Sequence, residues 1–103
     1  MEGLLAKFLP RFVVLTRERL RKGLEVATNR WRDRADGVAH DLHALAGEAG
    51  LLGLEGVVDH ARTAEEAARR FGGSGDEGDA ASLVESLERL QHAVTNATQG
   101  TGG

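Results

Sequence analysis

Apolar residues recur at steps of three and four along nearly the whole chain, and this period constrains the fold more than any other feature. Residues three or four apart share one face of an α-helix, whereas a half-buried strand alternates every second residue. In the first segment Leu9, Phe12, Val13, Thr16, Leu20, Leu24 and Ala27 form such a stripe. Pro10 lies inside it and predicts a break or kink, with a short opening helix through Leu4, Leu5 and Phe8, or else a helix that starts at Pro10 itself. Asn29 follows, a residue that tolerates left-handed backbone or caps a helix.

The second stripe is the most regular. Trp31, Ala35, Val38, Leu42, Leu45, Ala49 and Leu52 repeat in strict four-three steps, and Gly53 is the predicted stop. A third stripe runs from Leu54 through Val57, Val58, Ala61, Ala64 and Ala68 to Phe71, ending at Gly72-Gly73. Residues Gly72 to Asp79 read as a flexible connection into a fourth stripe of Ala80, Leu83, Leu87, Leu90 and Val94. Four helices with one apolar stripe each satisfy those stripes by closing on one another. The predicted fold is therefore all-α, an antiparallel four-helix bundle over residues 1–97, with a flexible Gly-rich tail at 98–103.

Composition removes several functions. The 103 residues allow one domain, and the absence of Cys removes disulfides, thiolate metal sites and cysteine nucleophiles while favouring a reducing, cytoplasmic setting. Charged residues interrupt every apolar run before it reaches membrane-spanning length, so no membrane partner is expected. A net charge of −3 offers no general drive toward nucleic acid. Residues 17–34 are locally basic, with Arg17, Arg19, Arg21, Lys22, Arg30, Arg32 and Arg34 against Glu18, Glu25 and Asp33. Without interleaved aromatic residues this reads as a solvated helix face rather than a nucleic-acid site.

The reactive candidates are His40, His43, His60 and His92. With the second stripe as the buried direction, His43 falls roughly 125° and His40 roughly 185° from its centre at 100° per residue, so both should meet solvent. Gly47 lies one turn beyond His43, and Ala44 and Ala46 flank it, so little side-chain bulk surrounds this imidazole. A helix-interior Gly is unfavourable, and close approach of a partner backbone is the usual reason for one. His40, Ala44, Ala46, Gly47 and Gly50 are accordingly the expected docking surface. Close helix packing, with termination at Gly53, is the competing explanation for the Gly47, Gly50, Gly53, Gly56 run. Asp41 and Glu48 are neighbours whose charge would either repel an anion or orient a ring. His40 and His43 with Asp36 are also conceivable metal ligands, but the Glu-x-x-His pairs of di-metal bundles are missing, and no metal site is expected. His60 and His92 read as surface residues.

The segment His43-Ala44-Leu45-Ala46-Gly47-Glu48-Ala49-Gly50-Leu51-Leu52-Gly53-Leu54 resembles the motif of histidine phosphotransfer (HPt) domains. That motif has a His, a Leu two residues on, a Gly four on, a small residue six on and a second Gly ten on. Val57, Ala61 and Glu65 are similar to the family's following helix. The family usually places Lys three residues after the His, where Ala46 stands here. Starting the motif at His40 instead matches Leu42 and Gly50 but puts Ala44 at the first Gly and His43 at the Lys. His43 is thus the expected phosphoacceptor, with His40 the alternative.

The resemblance implies a phosphorelay carrier that is not an enzyme by itself. Its partners would be a histidine kinase and a response-regulator receiver domain, the receiver bringing the Asp and the Mg²⁺, with no cofactor on this chain. A non-catalytic adaptor bundle is the reading from a different class.

Overall fold

Each of the four stripes forms a helix in the computed structural model, which describes the backbone of residues 2–102 and the side chains of residues 7–98. Helix α1 spans Glu2–Thr28, a 3-10 turn covers Arg32–Arg34, α2 spans Ala35–Leu51, α3 Glu55–Ser74 and α4 Glu77–Gly102. No strand occurs among the described residues. Short links turn neighbouring helices antiparallel. The α2 helix packs most extensively on α3, and α3 on α4, while α1 closes the bundle against α4 and α2. The molecule measures 44 × 20 × 19 Å along its principal axes.

The core is built on the stripes, with Val26, Ala39, Ala46 and Ala67 buried beside them. Phe71, Leu42, Leu45, Leu83, Leu87, Leu90 and Val57 are the largest fully buried apolar side chains, and Thr16 is buried with them, its hydroxyl unpartnered. A buried side chain of this size contributes about 1.5–3 kcal/mol through removal from water, so closing the stripes on one another supplies the driving force. Gly23 lets α1 approach closely, since a Cβ there would stand 3.2 Å from Leu87 Cδ1.

The helix ends explain where the boundaries differ from those read in the sequence. At the end of α1 the left-handed residue is Arg30 (φ 56°), not Asn29. Asn29 stays on the helix, where its Nδ2 donates to the Glu25 carbonyl at 2.8 Å. The Trp31 and Arg30 amides then donate to the Val26 and Ala27 carbonyls at 3.0 and 3.3 Å, a Schellman closure. The same closure recurs at Gly53 (φ 74°), with Leu54 and Gly53 amides on the Ala49 and Gly50 carbonyls at 2.9 and 3.1 Å, so Gly53 is indeed the stop of α2.

Helix α3 runs past Gly72-Gly73 to Ser74 because Arg32 donates to the Gly72 and Gly73 carbonyls, satisfying groups that a helix end leaves unpaired. The connection predicted over Gly72–Asp79 consequently shrinks to Gly75 and Asp76. Pro10 does not divide α1: helix continues through it without a separate opening helix, although the side chains of Leu4 and Leu5 lie outside the described residues. Helical backbone also continues over 98–102, where a tail was expected, with the Thr98 hydroxyl donating to the Val94 carbonyl at 2.8 Å. Gly103 lies outside the described residues.

Candidate functional site

Helix α2 cannot rotate without exposing Ala35, Val38, Leu42, Leu45 and Ala49, all of them buried. That fixes the opposite face toward solvent. His40 is exposed, and the His43 side chain is 74% exposed. The facing helix is lined by Ala61, Ala64, Ala67 and Ala68, side chains small enough for α3 to approach closely. This brings Glu65, on the edge of α3, to His43, with Oε1 3.2 Å from the imidazole Nδ1.

Glu65 is only 14% exposed on its side chain, and Arg69 one turn on donates to Oε2 from Nε at 3.1 Å and from Nη2 at 2.7 Å. The Arg69 hydrogen bonds, and after them the His43 contact, hold the Glu65 carboxyl below the usual glutamate range despite its partial burial. An ionised carboxylate accepts from an N–H, so Glu65 selects the imidazole tautomer protonated on Nδ1. Nε2 is then the ring nitrogen that keeps a free lone pair, on a ring whose orientation a second helix holds. Neither Asp41 nor Glu48 does this. Glu48 turns toward α1, where Arg19 meets it at 2.8 Å.

The surface beside the ring is bare at Gly47, where an added Cβ would meet nothing within 4 Å. Gly50 is also exposed, and a Cβ there would make only ordinary contact with Val58 at 3.8 Å; one at Gly56 would meet nothing. Close packing therefore does not account for Gly47 or Gly56. Ala44 is half-buried. Ala46 departs from the expected docking surface: it is 7% exposed and belongs to the core, because α2 buries a band wide enough to include Ala39 and Ala46 beside the four-three stripe.

Leu51, two turns beyond His43 and 90% exposed, is an apolar side chain on the outer face that the stripe analysis passed over, although its place off the stripe was the available signal. His60 and His92 are exposed. Asp36, His40 and His43 do not converge: no group of three or more His, Cys, Asp or Glu able to hold a metal ion occurs among the described residues.

Five of the basic side chains in 17–34 are engaged within the chain. Arg19 meets Glu48, Arg21 meets Glu18 and Glu25, Arg30 meets Glu77, Arg32 meets the end of α3, and Arg34 lies 4.6 Å over the Trp31 ring. No helix among the described residues is long and apolar enough to cross a membrane.

Against known families, the model described as the Hpt domain matches residues 11–100. The match extends over all four helices. Neither the curated proteins nor the solved structures contain a significant match.

Proposed function

We infer, from the premise that this chain belongs to the Hpt domain family and so serves histidine phosphotransfer in a phosphorelay, that His43 is its phosphoacceptor. The observation that carries this reading is the exposed imidazole whose Nδ1 is engaged by Glu65, with bare helix surface at Gly47 beside it. In the forward step Nε2 attacks phosphorus, the bond from phosphorus to the donor oxygen or nitrogen breaks, and the electron pair leaves with the donor. In the return step a receiver Asp oxygen attacks, the P–N bond breaks, and the pair returns to Nε2.

The domain contributes a positioned imidazole and little else. The charge stabilisation and the Mg²⁺ come with the receiver, and a histidine kinase supplies or shares the phosphoryl group. On this reading the protein is a carrier rather than an enzyme and works in the cytoplasm, where such partners act. His40, Ala44, Gly47 and Gly50 form the face on which the partner settles; Ala46 supports it from below.

The test is phosphorylation by candidate kinases of the same genome, followed by mapping of the acid-labile phosphate. His43→Gln retains a polar, helix-compatible side chain and should abolish incorporation with the fold intact, whereas His40→Gln should lower it only modestly. Incorporation that survives His43→Gln and disappears in His40→Gln moves the acceptor by three residues. A chain that binds receivers yet accepts phosphate from no donor is an adaptor.

A further inference from the structure

A threonine inside a helix can spend its hydroxyl on the carbonyl one turn back. Thr63 and Thr98 do so, donating to the Asp59 and Val94 carbonyls at 3.1 and 2.8 Å. Thr16 does not. It is fully buried on α1 and its hydroxyl has no partner, a state that costs free energy in a folded chain and leaves a polar group to be completed.

Thr16 lines a cavity of about 270 Å³ between α1 and α4. Val13 and Leu20 from α1 and Val94 from α4 form its apolar wall. Beside Thr16 its polar wall is Arg17, Gln91 and Thr95, none of which makes a hydrogen bond or ion pair among the described residues. All four can donate, Arg17 carries a positive charge, and no acidic residue is among the described residues that line the cavity. Donors and a guanidinium without a carboxylate select an anion, and the apolar wall selects one with a hydrocarbon body. We propose that this cavity binds a small organic carboxylate, its oxygens held by Arg17 and the Thr16 hydroxyl and its aliphatic part resting on Val13, Leu20 and Val94. At about 30 Å³ for each water-sized group the volume takes about nine non-hydrogen atoms, which suits a free acid of the size of hexanoate.

Nothing in this site depends on which histidine accepts phosphate. Around the bundle α1 packs on α2 and α4, and α3 packs on the same two helices, so the groove between α1 and α4 lies across the molecule from the edge where His43 meets Glu65. An acid bound there leaves the surface over Gly47 open to a partner. By bridging α1 and α4 it stabilises the folded bundle through mass action.

Hexanoate is the probe, titrated into the ¹⁵N-labelled full chain, with 1-hexanol and hexylammonium as neutral and cationic molecules of the same length. Hexanoate should bind saturably, shift amides of residues 13–20 and 91–98, and raise the melting temperature. Hexanol should bind roughly tenfold more weakly, the scale of a charge-assisted hydrogen bond, and hexylammonium should not bind. Arg17→Gln should weaken hexanoate roughly tenfold and bring it level with hexanol. Thr16→Val, close in shape, should weaken it about fivefold, the scale of one neutral hydrogen bond, without lowering the melting temperature of the free chain, since an unpaired buried hydroxyl is removed. Shifts that never saturate, or that fall in the groove beside Trp31 instead, overturn the proposal. So does equal affinity for hexanol and hexanoate, or an Arg17→Gln chain that binds hexanoate as tightly as the wild type.

Discussion

His43 differs from the other three histidines in being engaged by a carboxylate from a neighbouring helix, Glu65 Oε1 at 3.2 Å. The motif singles out this ring as the expected acceptor, since it aligns at His43 better than at His40. That a carboxylate would engage the ring was not legible. Glu65 follows His43 by 22 residues, across the turn at Gly53. Whether two such residues meet depends on how far α3 slides and rotates against α2, which an apolar stripe does not specify. Because Arg69 and His43 lower the Glu65 pKa in the folded state, the ionised carboxylate adds stability at pH values above its unfolded pKa of about 4.3, and that contribution is lost as pH falls through the lower folded value. Glu65→Gln should therefore reduce the melting temperature at pH 7 and make progressively less difference as the pH is taken below about 4. A gap that stays constant across that range would mean that packing, not charge, is what Glu65 supplies.

Helix α2 shows how much a periodic stripe determines and where it stops. Its residues Val38, Leu42, Leu45 and Ala49 were assigned to the core from spacing alone and are buried, and the outward placement of His40, His43 and Gly47 follows from the same 100° step. Ala46 is expected in the docking surface and is inside, because packing against more than one neighbour widens the buried band. The two small residues thus predict different outcomes. Gly47→Gln places a long side chain over open surface, so thermal melts should barely move while transfer to a receiver domain slows; transfer at the original rate would show that the partner does not approach over Gly47. Ala46→Lys must thread a charged chain out of the core and should cost about 1–3 kcal/mol, lowering the melting temperature by several degrees. Unchanged stability, with a longer-lived phosphohistidine, would put this position at the rim of the site rather than beneath it.

At the scale of the whole molecule the four stripes were enough to specify an all-helical bundle, since most of the buried residues, from Phe12 and Leu20 on α1 to Leu83, Leu87 and Leu90 on α4, are those the spacing picks out, with Val26, Ala39, Ala46 and Ala67 buried beside them. What spacing did not show are the events at helix ends, where Arg32 extends α3 past two glycines and Arg30 takes the left-handed turn. The first depends on residues about 40 apart in the chain, Arg32 with Gly72, and the second on which residue closes over the Val26 and Ala27 carbonyls, a choice an apolar stripe does not specify. The orientation of the site is a property of the whole bundle, because it is the closed core that turns His43 outward. Two leucines on α2 measure that orientation. Leu42→Ala should lower the free energy of unfolding by about 2–5 kcal/mol, the range for truncating a buried leucine. Leu51→Ala, nine residues on and almost fully exposed, should change it by no more than about 0.5 kcal/mol, yet weaken the binding of any partner that covers the outer face. Urea unfolding of the two variants decides the matter. If Leu51→Ala proves the costly one, α2 is rotated by about half a turn, His43 faces the core, and no partner can reach its Nε2.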